Sequence, residues 1–570
     1  MKLMSFSRKK SGSSVLKKTF KSYSPNERIL SGFLGLVLLF SGWKLISGDW
    51  KGQNIVNVIW GGHTYSEGMV GEIIRLNPIY ADLNEIDRDI TSLIFEGLSK
   101  YDPDQKKVVE NMATHTLDEA KTLYTFVLRD GLKWHDGISL TAEDVYFTYH
   151  DVIQNPEFEN SVLKSTFAGV EVKMVNEKTI TMKLSEPNSF FFTQLTVGIL
   201  PKHLLADVSI TELDSVDFNR EPIGNGSYKV TGAYDVLENG ITRVTLTYNK
   251  DYWQAKQPDI TEITFLAFPN FETLLKSRGE VHGIARISKY LLEKTQTDNF
   301  TAYEYSLPQY TALFMDTDKE ILSDRRVRLA IQKAIDKKAI IQAIGYSQNV
   351  DTPLLELNQE DWIYQTNPEE AAGALYDAGF ELDDDLGFRV KKNEDGSKEV
   401  LALTLLRRAY SDNPQSEEVN KITSEILVEQ LTKIGIQVTI KSYEGAQFQT
   451  RVKDQDYDLL LYGQNLGYNL DTYAYWHSSQ AKGKGLNLSN YTNPKADFYI
   501  EAIRNTFDNE VAKPEYLRDL AEIFKNDIPA VLLYRPTYYF LIDPRIKNIH
   551  TQNLLFPQDR FANILNWVVE

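Results

Sequence analysis

The side chains best suited to catalysis or metal binding in this chain are its eight histidines, and their spacing forms no catalytic or metal-ligating motif. No two of them stand three or four residues apart, as they would on one face of a helix, and there is no HExxH sequence. Scattered histidines of this kind are typical of core or surface groups. They are His63, His115, His135, His150, His203, His282, His477 and His550.

Other residue types give no stronger signal for chemistry. The chain has no cysteine, which removes a thiol nucleophile and thiolate metal ligands, and it has no GxSxG sequence. Gly61-Gly62 resembles the start of a phosphate-binding loop, but neither the GK[ST] ending nor the GxGxxG spacing follows. We therefore expect no catalytic residue, no cofactor and no metal, and a binding protein rather than an enzyme.

Charge narrows the ligands that such a protein could bind. The net charge is −17, but the first 28 residues carry eight basic residues against the single acid Glu27, so the rest of the chain carries about −24. So acidic a body disfavours nucleic acid and anionic lipid surfaces and favours neutral, cationic or zwitterionic ligands. Solvated acidic faces without any ligand are the simpler explanation of the same charge.

Ile29–Ile46 is an almost entirely apolar run of 18 residues, close to the roughly 20 that span the hydrocarbon core of a membrane. The basic residues before it favour a cytoplasmic N-terminus and an outward-facing C-terminal portion. A cleaved signal peptide and a buried core helix are the alternatives. Because there is no cysteine to carry a lipid, a peptide anchor is the expected tether.

The order of predicted elements divides the chain. Residues 1–28 read as a disordered basic tail, residues 48–53 as a linker, and the rest as a globular α/β body of two to four domains. Helices become more frequent after 306–308, where a domain boundary is expected. The predicted elements include strands Thr122–Arg129, Val170–Val175, Thr179–Leu184, Tyr228–Val236, Thr242–Tyr248, Ile260–Phe268, Leu401–Leu406, Ile436–Tyr443 and Asp458–Tyr462, and helices Arg325–Ile344, Pro368–Asp377, Glu417–Ile434 and Gln447–Lys453.

Several ordered segments resemble the family 5 extracytoplasmic solute-binding proteins, the dipeptide, oligopeptide and nickel receptors of ABC importers. The resemblance covers about 500 residues from Asn54 onward, and the agreement of many motifs in order makes it specific. The segments are Asn77-Pro78, Asp87–Tyr101, Tyr124–Val145, Pro222–Tyr228, Val327–Ile340, Asn367–Phe380, Tyr457–Tyr462, Leu488–Pro494 and Asp527–Tyr534.

The resemblance implies a two-lobed α/β clamshell of the type II periplasmic-binding-protein fold, here preceded by one transmembrane helix at 29–47. Subdomain Ib is expected at 94–200, inserted in a lobe I made of 54–93, 201–306 and 535–570, with lobe II at 307–534. In peptide-binding members the ligand lies extended between the lobes and pairs through its backbone, so its side chains matter little.

The resemblance is weakest where the family places an aspartate that pairs with the peptide's ammonium group. The position falls at Leu466 or Gly467, and Asp471 is the nearest remaining carboxylate. Asp471 could bind the ammonium group, or it could only cap the next helix. The candidate ligand contacts are Gly463, Gln464, Asn465, Tyr468, Asp471 and Tyr305.

Two further motifs have alternative interpretations. Trp134 and His135 are expected to be turn and packing residues rather than ligand contacts. His477 is the one histidine that could serve a nickel-binding cleft.

The function expected from the resemblance is capture of oligopeptides by a membrane-tethered, monomeric receptor that delivers them to ABC permease subunits, with no nucleic-acid partner. Three alternatives remain open: a receptor for a metal chelate or oligosaccharide, a binder coupled to a sensor, and a hydrolase on the same scaffold.

Overall fold

The computed structural model describes residues 63–81, 84–232, 235–237, 240–254, 256–294, 299–345, 348–411, 414–507 and 512–570. The basic tail 1–28, the predicted span Ile29–Ile46 and the linker 48–53 lie outside these residues. Within the described ranges, no helix is long and apolar enough to cross a membrane.

The largest sheet, called here the large sheet, has eight strands taken from both ends of the described chain. Strand β1 (His63–Val70) pairs in parallel with β11 (Ile260–Phe268) and β12 (Gly283–Ile287). The late strand β23 (Thr537–Ile542) lies between β12 and β13 (Thr301–Ser306) and is antiparallel to both. The other strands are β8 (Tyr228–Val230), β9 (Asp235–Val236) and β10 (Thr242–Tyr248).

A second sheet has six strands, in the spatial order β15, β22, β14, β21, β19, β20. Strand β19 pairs in parallel with β20 and β21, and the remaining pairs are antiparallel. Parallel pairing is thus confined to one edge, and the sheet as a whole is mixed. Its strands are β14 (Gln309–Met315), β15 (Gln348–Asn349), β19 (Ala402–Ala409), β20 (Gln437–Glu444), β21 (Leu459–Asn465) and β22 (Ala530–Arg535).

Smaller sheets complete the β structure. A four-stranded antiparallel sheet includes a hairpin, whose strands pair directly across Glu177-Lys178. Its strands are β4 (Ala113–Leu117), β5 (Leu123–Leu128), β6 (Glu171–Asn176) and β7 (Thr179–Lys183). The other pairings join β2 (Ser99–Asp102) with β3 (Lys107–Glu110), β16 (Glu381–Asp383) with β17 (Phe388–Lys392) and β18 (Lys398–Val400), and β24 (Ile546–Lys547) with β25 (Val568–Val569).

Helices cover the sheets. Their apolar faces enter separate buried clusters around the large, six-stranded and four-stranded sheets. The α-helices are α1 (Glu85–Ile94), α2 (Ala142–Tyr146), α3 (Ser161–Phe167), α4 (Lys202–Leu205), α5 (Phe271–Lys276), α6 (Lys289–Lys294), α7 (Glu320–Ser323), α8 (Arg325–Ala334), α9 (Lys337–Ile344), α10 (Pro368–Asp377), α11 (Pro414–Lys433), α12 (Gly445–Lys453), α13 (Tyr473–Trp476), α14 (Pro494–Arg504) and α15 (Ala512–Asp527).

The helix predicted at Arg325–Ile344 is two helices, so the prediction of one continuous helix is wrong. Helix α8 ends before Ile335, and Asp336 then begins α9 with its side chain accepting hydrogen bonds from the backbone N–H groups of Lys338 and Ala339. Such a cap satisfies N–H groups that have no partner within the helix. The apolar spacing continues across the break, which is why periodicity alone does not reveal it.

The chain passes between the large sheet and the six-stranded sheet at two neighbouring places. Strand β13 ends at Ser306 and β14 begins at Gln309, while β22 ends at Arg535 and β23 begins at Thr537. The two crossings touch, because the Arg535 Nε donates to the Leu307 carbonyl oxygen at 2.7 Å. Two short adjacent connections are the geometry of a hinge.

Candidate ligand-binding cleft

A cavity of about 1380 Å³ opens between the parts of the molecule built on these sheets. Small-molecule pockets usually hold roughly 300–1,000 Å³, so this cavity has room for a longer ligand. One wall comes from α1 and the strand after it, another from the segment after the four-stranded sheet, and a third from the chain between β21 and the end of α14. These walls lie within residues 78–111, 163–198, 227–256, 465–505 and 556–566.

The cavity wall is acidic overall. Seven acids and four bases line it, so an extended ligand with positive charge is favoured over an anionic one along most of its length. The acids are Glu96, Asp102, Asp104, Glu186, Asp471, Glu501 and Asp559, and the bases are Arg88, Lys100, Lys256 and Arg504.

Three of the predicted contacts line the cavity, namely Asn465, Tyr468 and Asp471. Asn465 is the last residue of β21, and its side chain accepts a hydrogen bond from the Gly467 N–H at 2.9 Å. The Tyr475 hydroxyl donates to the Asn465 carbonyl oxygen. The chain therefore turns sharply at the end of the strand, and this turn brings the three residues to one wall.

The other three predicted contacts do not line the cavity. Gln464 points away because side chains alternate along a strand, and only 4% of it is exposed. Its amide accepts from the Tyr310 hydroxyl at 2.6 Å and donates to the Leu486 carbonyl oxygen at 3.2 Å. Gly463 lies on β21 opposite Thr311. Tyr305 is buried in β13.

Tyr468 connects the chain after β21 to the C-terminal segment. Its hydroxyl donates to Asp559 Oδ1 at 2.8 Å, and its ring stacks on Tyr101 with 5.2 Å between ring centroids. Asp559 also accepts from the backbone N–H groups of Leu555 and Phe556. Burial raises the pKa of Asp559 to about 6, although these hydrogen bonds oppose the shift.

Asp471 has partners on both carboxylate oxygens. Oδ1 accepts from the Tyr473 N–H at 3.0 Å, at the start of α13, and Oδ2 accepts from Arg504 Nε at 3.0 Å. The N-cap residue of α13 is Thr472, so Asp471 satisfies the first N–H group of the helix from just before the N-cap position. The ion pair with Arg504 places a guanidinium group in the cavity wall.

Glu96 is a second acid that the sequence did not single out. Its carboxylate accepts from the Tyr252 hydroxyl at 2.5 Å and from Trp253 Nε1 at 2.7 Å. Burial raises its pKa, and the two hydrogen bonds act in the opposite direction. The segment Asp87–Tyr101, which carries the family resemblance, contains Glu96, but nothing in its spacing indicates a partner about 156 residues away.

His477 and His135, the two histidines considered for a ligand role, both take structural positions. His477 stacks on Tyr473 with 4.2 Å between centroids, and its Nε2 lies 3.2 Å from Glu501 Oε1. His477 does not itself line the cavity. His135 accepts a hydrogen bond from the Gly224 N–H and makes a second one with the Gly226 carbonyl oxygen. Burial lowers the pKa of His135 to about 4. Trp134 beside it is only 1% exposed. These contacts agree with the predicted turn and packing roles.

Comparison with known proteins identifies the class to which this cleft belongs. Residues 107–485 match the middle region of the bacterial extracellular solute-binding proteins, family 5. The match spans more than half of the chain, which therefore belongs to the family 5 solute-binding proteins. Members of this family are receptors for solutes rather than enzymes.

Relatives and solved structures agree with this assignment. The chain is 25% identical over 535 residues to the oligopeptide-binding protein AppA of Bacillus subtilis, covering 88% of this chain and 90% of AppA. The structure of Bacillus subtilis AppA with a nonapeptide superposes with a TM-score of 0.71 at 24% identity, over 90% of this chain and 99% of that one. The structure of NikZ from Campylobacter jejuni with Ni(L-His) superposes with a TM-score of 0.69 at 25% identity, over 89% of this chain and 99% of NikZ. The chain shares the two-lobed α/β fold of these proteins.

Proposed function

We propose that this protein captures oligopeptides in the cavity and delivers them to the permease of an ABC importer. The observation that carries this proposal is the cavity of about 1380 Å³ with walls from several separate segments of the chain. The cavity is lined by polar, aromatic and charged side chains. Such a lining suits an extended peptide, because the peptide backbone offers a hydrogen-bond donor and an acceptor at each residue. The similarity to the oligopeptide-binding protein AppA supports the same ligand class.

The proposed receptor closes around its ligand. The large sheet belongs to lobe I (54–93, 201–306 and 535–570), the four-stranded sheet to subdomain Ib (94–200), and the six-stranded sheet to lobe II (307–534). The paired crossings near Leu307 and Arg535 would form the hinge. Asn465 and Tyr468 are the predicted contacts whose positions support direct contact with the peptide, and Asp471 lines the same wall.

Filling the cavity tests the peptide proposal. Ala474 lines the cavity on α13, so Ala474→Trp should displace ligand and reduce peptide binding at least tenfold. Ala446→Trp, at an exposed position on α12, is the matched control and should bind as the wild type does. Native mass spectrometry of the detergent-solubilised full chain measures which peptides copurify. Wild-type protein that carries no peptide, or carries a sugar, would contradict the proposal.

A metal chelate is the second candidate, because the structure of NikZ with Ni(L-His) is similar to this chain. The described residues contain no group of three or more histidine, cysteine, aspartate or glutamate side chains that could hold a metal ion. A chelate would have to bring its own ligands. A nickel-containing mass in the same spectra, in place of peptides, would favour this candidate.

Membrane tethering by Ile29–Ile46 is the remaining part of the proposal. A chain lacking residues 29–46 should leave the membrane fraction, whereas the full chain should stay with the membrane after alkaline carbonate washing. Loss of peptide uptake in cells that lack the protein would support delivery to a permease. Normal uptake in those cells would favour a sensor-coupled binder instead.

A further inference from the structure

Arg504 is a cation fixed in the cavity wall at the end of α14. Its Nε donates to Asp471 Oδ2 at 3.0 Å, and its guanidinium carbon lies 4.1 Å from the centre of the Tyr473 ring. About 27% of the side chain is exposed. The ion pair fixes one edge of the planar guanidinium group and the ring covers one face, so the group has little freedom to turn.

The end of this guanidinium group is available to a ligand. Nη1 and Nη2 make no hydrogen bond with any of the residues that the structure describes, although the residue lines the cavity. These two nitrogens carry parallel N–H groups whose spacing matches the two oxygens of a carboxylate. A guanidinium group held at its Nε edge and open at its Nη end is preorganised for such a bidentate contact.

Asp471 is already neutralised by this arrangement. Its carboxylate, 14% exposed, accepts from Arg504 and from the Tyr473 backbone. A ligand ammonium group placed here would meet a carboxylate whose charge is compensated and a guanidinium group that repels it. The neighbouring acid Glu501 lies against His477, and Glu186 on the facing wall is exposed.

Arg504 also stands where two walls of the cavity meet. The Ser189 N–H donates to the Arg504 carbonyl oxygen at 2.8 Å, so the segment after the four-stranded sheet closes onto the end of α14. Asn188, next to Ser189, lines the cavity as well. A ligand group bound by the Arg504 side chain would therefore lie beside a contact between the two walls.

We propose that Arg504 binds a carboxylate group of the peptide, with Asp471 as the positioning residue that holds the guanidinium group in place. This inference rests on the proposed peptide-binding function. The Arg504 end of the cavity would then bind the negatively charged group of the peptide. The rest of the cavity is acidic and suits the neutral or cationic part of the same peptide. The carboxylate could be the C-terminus of the peptide or an acidic side chain.

Three libraries of short random peptides separate these sources. The first has free C-termini and no Asp or Glu, the second is the same library with C-terminal amides, and the third has C-terminal amides and one Glu per peptide. The full chain, freed of bound peptide by unfolding and refolding, is offered all three at equal concentration. Retained peptides are counted by mass spectrometry.

Wild-type protein should retain the first library, the third, or both at least about tenfold better than the second. Retention of the first alone identifies the C-terminus, and retention of the third identifies a side chain. Arg504→Gln should remove the preference, and Arg504→Lys should keep part of it. Arg518→Gln, at an exposed position on α15, should leave it unchanged.

Asp471→Asn tests the positioning role. The arginine stays charged but loses its ionic partner, so the preference for a carboxylate should weaken while some peptide binding remains. Equal retention of the first and second libraries by wild-type protein, with no gain for the third, would overturn the inference and leave the peptide-binding proposal intact. Failure to retain any of the three libraries would overturn both.

Discussion

A cluster of buried charged side chains holds the C-terminal segment of this receptor against its first described strand and helix. Arg560 is 2% exposed and contacts Glu67 on β1 and Asp89 on α1, both fully buried. The Tyr65 hydroxyl donates to Glu67 Oε2 at 2.7 Å, and Arg286 also contacts Asp89. Removing one member of such a cluster leaves a buried charge without compensation.

Replacing Arg560 with Met should therefore destabilise the protein by about 3–5 kcal/mol, because Glu67 and Asp89 would lose their shared cation. The free energy of unfolding in urea measures this loss. Arg545→Met is the matched control, since Arg545 is 62% exposed and pairs with Asp543 at the surface; its effect should stay within about 0.5 kcal/mol. Equal effects of the two substitutions would show that the buried cluster adds nothing.

Asp559 should make stability depend on pH. Its pKa rises from 3.8 to about 6 on folding, so the folded protein binds more protons in this range and loses stability as pH rises through it. At about 1.4 kcal/mol per pKa unit, Asp559 accounts for a loss of up to about 3 kcal/mol. Asp559→Asn should remove this part of the pH dependence, as measured by urea unfolding across the range. Asp454→Asn, at an exposed position, should leave the profile unchanged.

At the scale of elements, the sequence predicted strands better than it predicted the site. Ile260–Phe268 is a strand with the predicted bounds, and the strands predicted at Val170–Val175 and Thr179–Leu184 correspond to the paired strands β6 and β7. Alternating apolar residues and a turn are local signals, and they suffice for such elements. The ion pair of Asp471 with Arg504 depends on how α14 packs against the turn after β21, and no local pattern encodes that packing.

The break between α8 and α9 gives an element-scale test. Asp336→Ala removes the side chain that caps α9 and should cost about 1 kcal/mol, because N–H groups of Lys338 and Ala339 lose their acceptor. Asp336→Asn keeps an oxygen acceptor and should cost only a few tenths. Urea unfolding of both variants measures the difference. An alanine variant as stable as the asparagine variant would mean that the cap is not what separates the helices.

At the scale of the whole molecule, contacts between distant segments close one side of the cavity. Tyr468, after β21, reaches Asp559 and Tyr101, and Ser189 reaches the end of α14. These contacts join the chain after β21 and the end of α14 to segments on the opposite side of the cavity. The covalent connections between the two sides pass only near Leu307 and Arg535. Ligand binding and closure are therefore expected to be coupled through these contacts.

Removing the Tyr468 hydroxyl tests this coupling. Tyr468→Phe keeps the ring but loses the hydrogen bond to Asp559, so the closed form should be less favoured and peptide affinity should fall a few-fold. Small-angle X-ray scattering should show a smaller decrease in radius of gyration on peptide addition. Tyr376→Phe, at a position 63% exposed on α10, should behave as wild type. A Tyr468 variant with unchanged affinity and compaction would show that the contact does not couple binding to closure.

The location of β23 affects how the protein can be made. This strand lies between β12 and β13, and among the described strands of the large sheet β13 pairs with β23 alone. During synthesis and export, the large sheet therefore stays incomplete until residues 537–542 have emerged, after the whole six-stranded sheet. A chain released before that point leaves two strands with unpaired edges, open to proteases and to aggregation. Completion of the large sheet is thus conditional on translation past residue 542.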